Sequence, residues 1–210
     1  MSHIEKLLEG NREWVKKINS KHPDLFSKLA KGQSPQFLWI GCSDSRVPAT
    51  EITNQLPGSI FVHRNIANLV LNSDFNLLSV LYYALYFLGI RDILVVGHHN
   101  CGGVTAALSN KSLGFMEGWI GHIRNISRIH ADELLKLPTE QERIDRLCEI
   151  NVIEQVKNLE TVYFVEELVE AGEEIRLYGW LYDVRDGLIH ELIRKTLRKP
   201  VHDEPHRIDS

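Results

Sequence analysis

Asp92-Ile93-Leu94-Val95-Val96-Gly97-His98-His99-Asn100-Cys101-Gly102-Gly103 holds the key to this chain. Residues 93–96 are four consecutive aliphatic side chains, mostly β-branched. The run is too short for a buried helix and ends on glycine, so it predicts a strand buried on both faces. The small and apolar residues at 102–108 then predict a helix. Strand, tight turn and helix in that order form the unit from which parallel sheets are built. The turn itself carries a histidine and a cysteine three residues apart.

Working outward, Phe37-Leu38-Trp39-Ile40 before Gly41-Cys42 repeats the pattern, and residues 59–64 predict another strand. Helical spacing covers residues 74–88, where Gly89 closes the helix, and then residues 116–135 and 139–171. A last strand is expected over 174–182, with a turn at Asp186-Gly187 and a short return at 188–192. Before all of these, Ile4, Leu7, Leu8, Trp14, Val15 and Ile18 recur at helical spacing. The expectation is an α/β fold: a mostly parallel central sheet flanked by helices, with an N-terminal helical arm over 1–32. Residues 193–210 read as a polar tail without assignable function, and the whole of 1–210 as one domain. In such folds, sites form beyond the carboxyl ends of strands. Cys42 ends one strand, and His98 and Cys101 follow another.

Composition narrows the partners. The 210 residues carry a net charge of −4, with 43% apolar and 25% charged residues. An acidic balance gives no field for nucleic acid or an anionic membrane, and neither is expected as a partner. No apolar stretch is long enough to span a bilayer, and the N-terminus lacks an apolar signal core. A cytoplasmic location is expected. Three cysteines, an odd and low number, argue against a disulfide framework and fit a reducing compartment. Cys148 lies in a helical stretch and reads as a small buried apolar residue.

Cys42, His98 and Cys101 together are a candidate metal site. Two thiolates and an imidazole from two strand ends suit zinc with one position open, the catalytic arrangement. His99 is a conceivable fourth ligand, but adjacent residues rarely bind one ion. The bland alternative is two buried thiols beside a strand-end histidine. Asp44 and Arg46, in the loop after Cys42, are either a local ion pair or a carboxylate oriented beside the open position. There a carboxylate could accept a proton or hydrogen bond, or close the site by binding the metal. Two thiolates already neutralise Zn²⁺, so help from Asp44 or an alkaline working range is expected.

Cys-Ser-Asp-Ser-Arg at 42–46, followed by His-x-x-Cys-Gly-Gly at 98–103, resembles the β-class carbonic anhydrases. The likeness extends through Val62-His63-Arg64-Asn65-Ile66-Ala67-Asn68, Gly179-Trp180 and Tyr182-Asp183, and covers roughly residues 1–190. It implies reversible hydration of CO2 to bicarbonate and a proton, by attack of zinc-bound hydroxide, with one Zn²⁺ per subunit. The implied ligands are Cys42, His98 and Cys101, with Asp44 and Arg46 as a dyad and Asp44 a fourth ligand only in a closed state. The implied substrate pocket comprises Gln33, Phe61, Ile66, Tyr83 and the Gly102 backbone N–H. A bacterial-type subset of the family has a second, non-catalytic bicarbonate site, and Trp39, Arg64 and Tyr182 match it. That match implies allosteric inhibition by bicarbonate. The family also implies a homodimer or homotetramer. His99 stands where many members have a smaller or non-ionisable residue. Near the channel mouth it could pass protons to buffer, or simply face solvent.

Two other functions compete. A zinc hydrolase acting on a larger electrophile would need a wide polar cleft, and none is evident near the motifs. A zinc-stabilised binding module would have no use for Asp44 and Arg46.

Overall fold

The structure is a computed structural model that describes residues 2–109 and 111–200. The chain divides into two units, Met1–Ser34 and Pro35–Ser210. The first holds helix α1 (His3–Lys21) and a short helix α2 (Leu25–Leu29). Ser2 and Glu5 form a capping box that satisfies the first backbone N–H groups of α1. Trp14 meets Phe26 edge-on at 5.7 Å and joins the two helices.

The second unit is built on a five-stranded sheet. Its strands are β1 (Phe37–Cys42), β2 (Ile60–Asn65), β3 (Asp92–His98), β4 (Ile175–Tyr182) and β5 (Ile189–Leu197). Their order is β2-β1-β3-β4-β5. The first four are parallel, and β5 runs antiparallel on β4. Helix α3 (Ala49–Ile52) follows β1, α4 (Phe75–Tyr86) follows β2, and α5 (Gly102–Leu108) follows β3. Helices α6 (Glu117–Ile129), α7 (Ala131–Leu134), α8 (Glu140–Glu160) and α9 (Tyr163–Glu170) lead to β4.

The two faces of the sheet are unequal. Leu38, Ile40, Ile93, Val95, Leu177 and Leu181 pack with α4, α5, α6 and α8 into the main core. On the other face Trp39, Leu94 and Val96 pack with Val47 and Ala49 into a smaller cluster, edged by Tyr178, Trp180 and Tyr182. The connections after β1 and β3 thus leave toward opposite faces, which makes the gap between those strand ends a topological switch point. Gly97 is required there, because a Cβ would come within 2.5 Å of Val152 Cγ2 on α8.

Several sequence expectations need correction. The helix expected over 139–171 is two, α8 and α9, broken at Thr161 and Val162. That over 116–135 breaks at His130, whose φ and ψ of −100° and 20° are not helical. The return strand runs to Leu197, so residues 193–197 belong to the sheet and not to a polar tail. Residues 201–210 of that tail lie outside the described residues.

Candidate metal centre

The parallel pairing of β1 on β3 sets Gly41 beside Val96, so Cys42 and His98 both stand at the carboxyl ends of their strands. Cys42, His98 and Cys101 offer donor atoms that all lie within 4.8 Å of one another. The two sulfurs are 3.9 Å apart. All three side chains are buried, His98 completely. Asn100 reaches the left-handed region at φ 53° and turns the chain so that Cys101 faces back toward Cys42.

His98 is aimed. Its Nδ1 lies 2.8 Å from the carbonyl oxygen of His99. A carbonyl only accepts, so Nδ1 carries the proton and Nε2 keeps its lone pair. That Nε2 is buried without a partner among the described residues. A buried lone pair facing two sulfurs is costly unless something electrophilic sits between them. Two soft thiolates and one imidazole at this spacing fit zinc.

The thiols are unlike one another. An S–H donated by Cys101 lowers the pKa of Cys42, helped by the backbone of the loop after β1. That same bond, together with burial, raises Cys101. Cys42 is therefore the first to ionise. Cys148 sits behind Cys101, where burial pushes its thiol up to about 12. It is an inert core residue, in keeping with its sequence reading.

Asp44 is held by Arg46. The guanidinium donates from Nε to Oδ1 at 2.9 Å and from Nη2 to Oδ2 at 2.7 Å, and the Arg46 N–H donates to Oδ1 at 3.0 Å. These bonds hold the carboxyl well below the usual carboxylate range. Arg46 Nη2 also donates to the Asn100 carbonyl at 3.1 Å, which ties the dyad to the turn after β3. Asp44 Oδ2 stands 3.7 Å from His98 Nε2. It is not one of the three mutually close donors, so the carboxylate is beside the cluster but turned to Arg46.

The remaining expected residues are distributed unevenly. Ile66 lies against Gly103, where a Cβ would come within 2.9 Å of Ile66 Cγ2, so Ile66 flanks the start of α5 that Gly102 opens. Phe61 pairs with Leu38, four residues before Cys42 on the neighbouring strand. That is roughly 13 Å along the sheet, and there Phe61 packs on Tyr83, with ring centroids 5.9 Å apart. Gln33 belongs to the first unit. Arg64 donates from Nε to the Cys42 carbonyl at 2.8 Å and from Nη2 to the Asp44 carbonyl. Trp39 and Tyr182 share the smaller cluster, and Trp39 Nε1 is a buried donor without a partner among the described residues.

His99 departs from its expected place. It is only 8% exposed. Its Nδ1 lies 3.0 Å from Arg185 Nη2 and 3.2 Å from Asp183 Oδ2. The Asp183–Arg185 pair repeats the geometry of Asp44–Arg46 and encloses the ring. Sequence reading missed this second pair, although Asp183-Val184-Arg185 has the same spacing as Asp44-Ser45-Arg46. It also missed the carboxamides Asn151, Gln155 and Asn158 of α8, which reach the backbone of residues 67–70. Their only trace in the sequence is a line of amides at i, i+4 and i+7 along the same face of α8 as Ile144, Leu147 and Cys148.

Known proteins agree with this geometry. A family model described as carbonic anhydrase matches residues 37–189. The chain is 44% identical to a carbonic anhydrase of Emericella nidulans over 188 residues, which is 90% of this chain and 82% of that protein. It is 31% identical to one of Saccharomyces cerevisiae, over 95% and 93% of the two chains. Among solved structures, a tetrameric β-carbonic anhydrase from Sordaria macrospora superposes with a TM-score of 0.86 at 36% identity, covering 91% of this chain and 98% of that one. The Coccomyxa β-carbonic anhydrase, in complex with acetazolamide, gives 0.89 at 37% identity, covering 93% and 88%. A shared sheet, a matched sequence core and a Cys-His-Cys cluster at the switch point lead to one conclusion: the chain belongs to the carbonic anhydrase family, within its β class.

Proposed function

We propose that this carbonic anhydrase hydrates CO2 reversibly to bicarbonate and a proton on a zinc ion held by Cys42, His98 and Cys101. The observation that carries the reading is the buried, unpartnered Nε2 of His98 facing two sulfurs. Zinc in that position would supply a Lewis acid that makes water nucleophilic near neutral pH. The chain's own residues do the rest. Asp44, ionised because Arg46 holds it, accepts a hydrogen bond from water beside the cluster and so orients it. Arg46 keeps the carboxylate from closing on the metal. Ile66 gives an apolar wall beside the start of α5, which suits a small apolar substrate.

A CO2 hydration assay tests this. The zinc-loaded protein should be active between pH 7 and 9, and chelator treatment or Cys42→Ser should abolish activity together with zinc content. Full activity in metal-free protein would overturn the reading.

Inhibition by bicarbonate at Trp39, Arg64 and Tyr182 is the finer proposal. It is supported by the unpartnered Trp39 N–H and by the grip of Arg64 on the backbone on both sides of the loop's start. An anion drawing on Arg64 would loosen the segment that carries Asp44. Such a switch requires bicarbonate to bind the closed form better than the open one. Trp39→Phe, which removes only the N–H, should relieve bicarbonate inhibition while maximal turnover stays within about twofold. Unchanged inhibition would remove Trp39 from the site.

A homodimer or homotetramer is proposed, since the Sordaria macrospora relative is tetrameric. Among the described residues no helix is long and apolar enough to cross a membrane. A cytoplasmic setting is proposed on the three free cysteines, which suit a reducing compartment.

A further inference from the structure

The turn after β3 orients the one nitrogen donor of the cluster. His98 Nδ1 donates to the His99 carbonyl at 2.8 Å, which leaves Nε2 to the side of the two sulfurs. A backbone carbonyl can orient a ring only if its own peptide is fixed. The peptide between His99 and Asn100 is held on both sides. The His99 N–H donates to the Tyr182 carbonyl at 3.1 Å, which anchors the turn to the end of β4. Asn100 sits in the left-handed region at φ 53°. Its Oδ1 accepts from Gln141 Nε2 at 3.0 Å, and its carbonyl accepts from Arg46 Nη2 at 3.1 Å.

The His99 ring is gripped as well. Its Nδ1 lies 3.0 Å from Arg185 Nη2 and 3.2 Å from Asp183 Oδ2. A guanidinium only donates and a carboxylate only accepts, so Nδ1 has a partner in either tautomer. Arg185 is itself set by Asp183. Its Nε donates to Oδ1 at 2.8 Å, its Nη2 to Oδ2 at 2.7 Å and its backbone N–H to Oδ1 at 2.9 Å. Arg185 Nη1 also reaches Asp145 Oδ2 on α8 at 3.3 Å. An Asp–Arg pair on an open surface adds little to stability. This pair closes over a buried imidazole, and Asp183 is buried with it, so water competes little for the contact.

We propose that Arg185, set by Asp183, is a positioning residue for the metal centre: by gripping the His99 ring it fixes the His99 carbonyl, which holds the His98 imidazole with Nε2 toward the two sulfurs. The proposal rests on the zinc reading above. The partner of a ligating histidine is worth roughly 10–100-fold in metal affinity, and a grip on that partner should carry at least about threefold of it. Positioning has to be told apart from the field of the charges. A nearby cation opposes a bound dication, and a nearby anion favours it. By field alone, removing Arg185 would tighten zinc binding and removing Asp183 would loosen it. Positioning loosens it in both cases.

The test uses the full-length chain and two readouts other than turnover: zinc affinity by chelator competition, and the visible ligand-field bands of the cobalt(II)-substituted protein, which report ligand geometry. The Arg185 side chain is half exposed, so Arg185→Gln should fold. It should weaken zinc binding at least about threefold and shift the cobalt bands, and Asp183→Asn should do the same. Against His99→Ala, which has no ring to grip, Arg185→Gln should change affinity by less than about 1.5-fold, the non-additivity of residues that share one contact. The control is Arg176→Gln, which breaks a similar pair with Asp92 at the far end of β3, roughly 20 Å along the sheet from His98. It should lower the melting temperature yet leave zinc affinity within about 1.5-fold, as a distant site should. Unchanged or tighter zinc binding by Arg185→Gln, with unshifted bands, would overturn the proposal. So would a full loss that persists in the His99→Ala background, or an equal loss in Arg176→Gln. A wild-type protein that binds neither zinc nor cobalt would be a different result, overturning the zinc reading and the proposal with it.

Discussion

Arg46 shows how much one side chain controls at this centre. It makes three hydrogen bonds to Asp44 and one to the backbone of Asn100. Without it, an ionised carboxylate 3.7 Å from His98 Nε2 has no competing cation and would be free to turn toward a metal held by the cluster. Arg46→Ala should therefore retain zinc but lose CO2 hydration by about 100-fold or more, because the carboxylate would then occupy the position that water needs. Metal analysis alongside stopped-flow hydration checks it, and a zinc-replete variant of near-normal turnover would remove the dyad from the mechanism. At this scale the sequence was most legible for Cys42, Asp44, Arg46, His98 and Cys101. Asp44 is held by Arg46 two residues on, and His98 by the carbonyl of His99, so short spacing carried much of the information. Asn151 and His99 were not legible in the same way. Their partners, Ala67 and the Asp183–Arg185 pair, lie more than eighty residues away, and a line of amides on one helix face does not say which distant backbone it clasps.

Elements were legible where one physical rule acted alone. β1 and β3 are buried on both faces, so each shows an unbroken apolar run. β5 obeys two rules at once. Its register with β4 jumps at Gly179/Trp180, and the bulge carries Ile189 to the smaller cluster but Leu192 and Ile193 to the main core. A change of face in mid-strand erases the alternation by which a strand is recognised. Charge pairing across the sheet offers a prediction at this scale. Asp92 opens β3 opposite Arg176 of β4. It accepts from Arg176 at 2.7 Å and 2.6 Å and from the Tyr178 hydroxyl at 2.9 Å. The Arg176 guanidinium foremost, then Tyr178, holds the Asp92 carboxyl below its ordinary value. A carboxyl depressed by folding stabilises the folded state above its unfolded pKa, near 4, and loses that contribution as pH falls through the folded value. Asp92→Asn should thus cost about 1–2 kcal/mol at pH 7. Denaturant melts should show the gap to wild type narrowing as pH drops below about 4. A gap independent of pH would mean that geometry, not charge, explains the loss.

At the scale of the whole molecule, the sheet order places the candidate site, and the aromatic residues mark a surface that a second chain would cover. The connections after β1 and β3 part toward opposite faces, and the gap they leave holds Cys42, His98 and Cys101, which could hold a metal ion. A fold of this order makes such a gap whatever the side chains are, which is why the strand pattern alone pointed to it. Assembly is less legible, since an apolar face reads alike whether it meets its own core or a partner. The structure separates the two cases for α4. Its inner residues Leu77, Leu81, Ala84 and Leu85 are buried. Tyr82, Tyr83 and Tyr86 remain about two-fifths exposed, and Phe87 is 69% exposed. These rings are already ordered against one another, Tyr82 on Tyr86 at 4.3 Å and Tyr83 on Phe87 at 5.2 Å. A contiguous, pre-arranged aromatic surface of this kind marks an interface more often than a solvated face. Replacing Phe87 by Asp would set a charge at its centre without touching the main core, to which Phe87 does not belong. Sedimentation velocity should then show the assembly falling to smaller species, with the far-ultraviolet circular dichroism of the chain unchanged. A Phe87→Asp variant that kept the mass of the wild-type assembly would place the interface elsewhere on the molecule.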